Sequence, residues 1–171
     1  MKLLCLLILI PVMVFASPTP KEINANIHKY GSKDFASKIN ENDWAAIIKN
    51  ISTGSDEWLL IVPDLASVVN IEQSNQLSNA LYYALEQNAK DALKTMSILD
   101  KHHYKYQQGT DISCVPPFVK ITDTNMQRYN QIRLSLLNVG PQAATCLWIM
   151  EAWVEEIKAD EARKPNRARR V

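Results

Sequence analysis

The chain has 171 residues, 47% of them hydrophobic, with 19 basic and 18 acidic side chains. That length supplies one domain with a real core. Arg163, Lys164, Arg167, Arg169 and Arg170 gather in the last nine positions without an acid; setting aside those five and Lys2 leaves 13 basic against 18 acidic residues in the body. An acidic body excludes nucleic-acid binding as the main task, because such binding needs a basic face to meet the phosphates.

Met1-Lys2, the apolar run Leu3–Phe15 and the Val14-Phe15-Ala16 step have the layout of a secretory signal peptide over residues 1–16. The run is too short for a membrane span, so no stable membrane anchor is expected after cleavage. Cys5 lies inside the run and leaves with it. Residues 17–20 (Ser17, Pro18, Thr19, Pro20) read as a flexible, extended lead-in, since proline disfavours helix in the residue before it. Residues 21–162 then form the predicted helical domain, and 163–171 a basic disordered tail that hangs in solvent.

Asn42–Asn50 suits a short helix with Trp44, Ile47 and Ile48 inward. Ser52 to Ser55 is a turn, with Ser55 placed to cap the next helix at Asp56. Trp58, Leu59, Val62, Leu65, Ala66 and Val69 make its apolar face, and Pro63 predicts a kink or two short helices meeting. Leu77, Ala80, Leu81, Ala84 and Leu85 form one helical stripe; Ala89, Ala92, Leu93, Met96 and Leu99 form another, with Asn88 at the break between two antiparallel helices. Met126, Tyr129, Ile132, Leu136 and Val139 mark a third long helix, capped by Thr122 or Asp123 and ended by Gly140-Pro141. The last carries Ala143, Leu147, Met150, Val154 and Ile157 inward. No alternating strand and no glycine-rich phosphate loop are present, so the fold class is all-α, a single domain of packed antiparallel helical hairpins with one long disulfide-tied loop.

That loop runs from His102 to Ile121. Cleavage would leave Cys114 and Cys146, and two thiols in an oxidising compartment most often pair. The bridge would close about 33 residues and contribute roughly 3–4 kcal/mol on the chain-entropy model. A reactive thiol and a thiolate metal ligand are the alternatives; no Cys-x-x-Cys spacing supports a redox motif.

Candidate chemistry is sparse. His102-His103 beside Asp100 is the nearest approach to a metal site, yet adjacent histidines on a helix point apart, and a solvated helix end is the better account. Glu151, Glu155 and Glu156 share one helix, whereas paired-carboxylate catalysis needs two carboxylates facing each other across a cleft. No Gly-x-Ser-x-Gly turn frames a serine nucleophile. We therefore assign no catalytic residue, no metal and no cofactor. Asn50-Ile51-Ser52 matches a glycan acceptor, a short pattern that arises often by chance. Trp148 and Trp153 are five apart and cannot share the inner stripe; one is exposed for recognition, or packs sideways against the loop.

The segment GSDEWLLIVPDLA (54–66), the spaced Ser74, Leu77, Ala80 and Leu81, then Ala84, Leu85 and Asn88, and finally ISCVPPF (112–118) with Cys146-Leu147 resemble a group of small exported proteins of Gram-negative bacteria. Those carry a Trp-Leu…Pro-x-Leu-Ala segment, a paired-helix segment and a Cys-x-x-Pro-Phe loop in that order, a likeness covering residues 43–150. It implies an envelope location and the two-cysteine arrangement, and brings no activity. The basic tail and the His102-His103 loop depart from the group. The expected protein is periplasmic or secreted and binds another protein, in its most concrete form as an immunity-type inhibitor of an envelope-acting toxin. His103, Tyr104, Tyr106, Pro117 and Trp148 are its candidate contacts. A small envelope hydrolase with its site between helices is the competing expectation.

Overall fold

The computed structural model describes residues 18–30, 35, 39–107 and 109–168. The expected signal peptide lies outside them, as do residues 169–171 of the tail. The described chain is all-α, with no strand. Its elements are α1 (Pro20–Tyr30), α2 (Glu41–Ser52), α3 (Asp56–Leu60), α4 (Val62–Ala66), α5 (Ile71–Lys101), α6 (Thr110–Ser113), α7 (Asp123–Val139), a 3-10 turn (Pro141–Ala143) and α8 (Ala144–Ala168).

Pro20, expected in the extended lead-in, is instead the first residue of α1. The Thr19 hydroxyl accepts from the Glu22 amide at 3.3 Å, and the Glu22 carboxylate accepts from the Thr19 amide and hydroxyl, each at 2.8 Å. This reciprocal box caps the helix, and proline suits its first position because the missing N–H has no partner there anyway. The Thr19 amide bond, then the hydroxyl bond, holds the Glu22 carboxyl below its ordinary range. Ile23 and Ile27, one turn apart, are buried.

Asn40 caps α2 by accepting from the Asp43 amide at 2.9 Å. Trp44, Ile47 and Ile51 face the core, and the Trp44 indole N–H donates to the Gln76 side chain. Asn50 of the glycan pattern sits within this helix. Pro63 divides the next apolar run into α3 and α4, entering in the first turn of α4 where its missing donor costs least. Ser55 occupies the cap position of α3, but its side chain makes no capping bond. Trp58, expected in the core, is only half-buried.

α5 is a hairpin, not a rod. Asn88 alone is non-helical, at φ −147° and ψ 66°. Gln107 donates to the Ser78 hydroxyl at 2.8 Å. A straight helix would carry His102 ~36 Å from Ser78, and five extended residues span only ~18 Å, so the second arm must fold back on the first. Asn88 makes the corner by accepting from the Asp91 amide at 3.2 Å, as an N-cap does, while its amide donates to the Gly54 carbonyl at 3.0 Å and the Asp56 carboxylate at 2.6 Å. Ala80, Ala84, Ala89 and Ala92 are buried along the two arms, where small side chains let helices approach closely.

α7 and α8 form a second hairpin through Gly140, whose φ of 83° suits a residue without Cβ. Thr122 caps α7 by accepting from the Asn125 amide at 3.2 Å. Tyr129, Ile132 and Leu136 of α7, with Cys146, Met150, Val154 and Ile157 of α8, are buried. The expected disordered tail is corrected in part: α8 continues through Ala168, and Arg163 pairs with Asp160 at 2.8 Å and Glu156 at 3.0 Å.

Tyr82 is buried between the hairpins, its hydroxyl 3.8 Å from the Met150 sulfur. Burial, reinforced by Tyr83, pushes its phenol well above the ordinary value near 10. The folded state thus keeps a proton that the unfolded chain loses above pH ~10, so stability is intact below that pH and falls as pH rises beyond it. Tyr82→Phe keeps the packing and removes the ionisation. Its alkaline unfolding midpoint, followed by circular dichroism, is expected to lie higher than that of the wild-type chain.

Candidate functional site

Residues 102–121 leave the end of α5 and return to α7 with α6 between them, so the long connection expected as a loop contains a helical turn. Its first part is set by local contacts. The His102 Nδ1 faces the Ile98 carbonyl at 2.8 Å, its ring stacks on Tyr104 with centroids 5.6 Å apart, and the Lys105 ammonium lies 4.7 Å from the Tyr106 ring centre. His102 thereby serves the solvated helix end that the sequence suggests. Burial, then the nearby Asp64 carboxylate, raises the Tyr104 phenol above its usual value.

Polar anchors follow. Gln107 is buried; its carbonyl accepts from Ser74 at 3.1 Å while its amide reaches Ser78. The Ser74 hydroxyl also donates to the Tyr106 carbonyl at 2.7 Å. The Asp100 carboxylate accepts from the Thr110 amide at 2.9 Å and the Thr110 hydroxyl at 2.6 Å, capping α6 from a different element. Gly109 lies so close to α5 that a Cβ there would collide with the Met96 carbonyl and the Asp100 carboxylate.

The second part is bound to α8. Cys114 and Cys146 are joined, with Cα atoms 5.2 Å apart and both side chains buried. The Met96 sulfur lies 3.7 Å from the Cys114 sulfur, so the bridge is packed against α5 as well. The Trp153 indole donates to the Phe118 carbonyl at 3.2 Å, and the Ile121 amide donates to Glu161 at 3.0 Å.

Held this way, the segment turns His103, Lys105, Tyr106, Ile112 and Val119 outward; Val119 is 72% exposed and Ile112 44%. Of the sequence-derived contacts, His103 and Tyr106 are exposed, while Tyr104 and Pro117 are half-buried. Trp148 is 71% exposed but stands apart. Five helical residues turn about 140°, so with Trp153 pinned to the loop, Trp148 points to the other flank of α8. The loop and Trp148 are therefore two surfaces. Sequence reasoning passed over Ile112 and Val119, apolar residues whose exposure is set by tertiary anchoring.

Trp148 has company. Arg133 and Glu151 bond across the α7–α8 seam at 2.7 Å, which marks the antiparallel register. Four residues on along α7 and four back along α8, Leu137 lies level with Leu147, and Leu134 and Trp148 flank them; Leu134 is 60% exposed and Leu137 45%. Glu155 and Glu156 pair with Lys158 and Arg163, so the three α8 carboxylates are surface ion-pair partners and do not converge in a cleft. Among the described residues, no three His, Cys, Asp or Glu side chains come together as a metal cluster. No known protein family, curated protein or solved structure matches the chain.

Asp100→Ala removes both bonds to Thr110 on a partly solvated surface and is expected to cost about 1–2 kcal/mol. Asp100→Asn keeps one acceptor and should lose less. Urea unfolding, compared by midpoint at constant slope, checks both.

Proposed function

We propose that this chain is an exported protein-binding domain, periplasmic or secreted, whose contact surface is the disulfide-tied segment 102–121. The observation that carries this reading is the combination of dense anchoring with outward apolar side chains. Asp100, Gln107, Cys114, Phe118 and Ile121 are each fixed to another element, while Tyr106, Ile112 and Val119 face solvent. Anchoring removes the ordering cost that a mobile loop meets on binding, and tyrosine is enriched among the residues that carry binding energy at interfaces. Loops held on rigid scaffolds are where recognition residues concentrate.

Export rests on the signal-like residues 1–16 and on the Cys114–Cys146 bond, which persists in oxidising compartments. Among the described residues, no helix is long and apolar enough to cross a membrane. The partner we favour is a protein of the envelope, and an immunity-type inhibitor of a toxin is the form of this role that small size, an exported chain and a helical scaffold fit best. The hydrolytic alternative needs two titratable groups converging from different helices, and the carboxylates of α8 engage cations on the surface instead.

The oxidised protein, immobilised and exposed to envelope extract of the producing cell, is expected to retain one protein reproducibly. Tyr106→Ala combined with Ile112→Ala should weaken that retention about tenfold or more, the scale of a lost interface anchor. Retention unchanged by both substitutions, or no specific protein retained, would contradict the proposal.

A further inference from the structure

The outer face of the α7–α8 hairpin differs from the rest of the surface. No charged residue lies between Arg133 and Glu151 in the sequence, in a chain that is 22% charged. Those two neutralise each other across the seam at 2.7 Å. Leu134, Leu137 and Trp148 are exposed on this face, together on the order of 300–400 Å², the size of the largest apolar patch on an ordinary monomer. Asn130, Gln131, Asn138 and Thr145 are exposed around them and carry no charge. Interface centres are set apart from ordinary surface by this same loss of charge with retention of aromatic residues.

We infer that this face binds a second copy of the chain, pairing two α7–α8 hairpins about a two-fold axis with Trp148 near it. Charge permits this occupant. The formal net charge of the chain is only +1, so two copies meet without strong repulsion, and a face that holds no unpaired charge adds none. In a two-fold interface every residue near the axis meets its own copy, so an unpaired charge there would face itself. Arg133 and Glu151 avoid this by being paired within each chain. A strongly charged partner, basic or acidic, would find nothing between Arg133 and Glu151 to complement it. The shape agrees, because two antiparallel helical hairpins packed face to face make a four-helix arrangement. The three apolar side chains supply about half of the ~800 Å² per partner of a standard interface, and the neutral polar residues around them supply the rest.

This contact is independent of the loop surface, and its test separates the two. Sedimentation equilibrium of the oxidised protein is expected to give twice the chain mass. Trp148→Glu sets two carboxylates against each other at the axis and should yield a monomer with unchanged helical circular dichroism, since the position is exposed, and a thermal midpoint no longer dependent on protein concentration. Trp148→Lys should do the same, and an equimolar mixture of the two variants should recover the double mass. Tyr106→Ala should remain dimeric. A wild-type monomer at the highest soluble concentration, or a dimer that survives Trp148→Glu, would overturn the inference.

Discussion

Cys114 and Cys146 are buried side by side under α8, and the bond between them joins the long 102–121 connection to the second hairpin while the Met96 sulfur packs against it from the first. The first part of that segment is held by local contacts, and the ties on either side of the bridge gain from this closure. Asp100 meets Thr110, and Trp153 meets Phe118, only if the chain between them is held against both helices. On the chain-entropy account a bridge of this span contributes roughly 3–4 kcal/mol, a large share of the ~5–15 kcal/mol that a domain of this size retains. The hydrogen bonds then select one conformation from those the bridge permits.

The scaffold beneath is two helical hairpins that meet around Tyr82 and Met150. The first closes at Asn88, where one non-helical residue reverses the chain because its side chain caps the second arm and ties the corner to Gly54 and Asp56. The second closes at Gly140 and carries the Arg133–Glu151 pair across its seam. These closures give opposite flanks of α8 different surroundings. One carries Trp153 and the anchored loop; the other presents Trp148 and its neutral surroundings.

Much of this was legible in the sequence because the signals are local. The apolar stripes placed the buried faces of α5, α7 and α8, Pro63 the division of α3 from α4, and Thr122 and Gly140 the ends of α7. The misses have physical reasons. Pro18 and Pro20 read as helix breakers, although Thr19 and Glu22 form a box that makes Pro20 a good first residue. The Arg163–Val171 composition read as a solvated tail, because like charges in sequence conceal that Arg163 reaches back to Asp160 and Glu156. Asp100 stands out in the sequence only beside His102-His103, and Gln107 carries no local signal, since its partners Ser74 and Ser78 come from a distant segment. The neutral face was present in the sequence as the stretch without charge between Arg133 and Glu151, but an absence draws less notice than a motif.

A covalently closed, multiply anchored loop is the element on which the proposed recognition role rests, and its rigidity is directly measurable. Amide hydrogen exchange across 102–121, compared between oxidised and fully reduced protein, separates an ordered segment from a merely tethered one. The Ser113, Cys114 and Ile121 amides, which donate to Gly109, Thr110 and Glu161, should be protected when the bridge is intact and lose most of that protection on reduction. Fast exchange of these amides in the oxidised protein, or protection indifferent to reduction, would contradict the account.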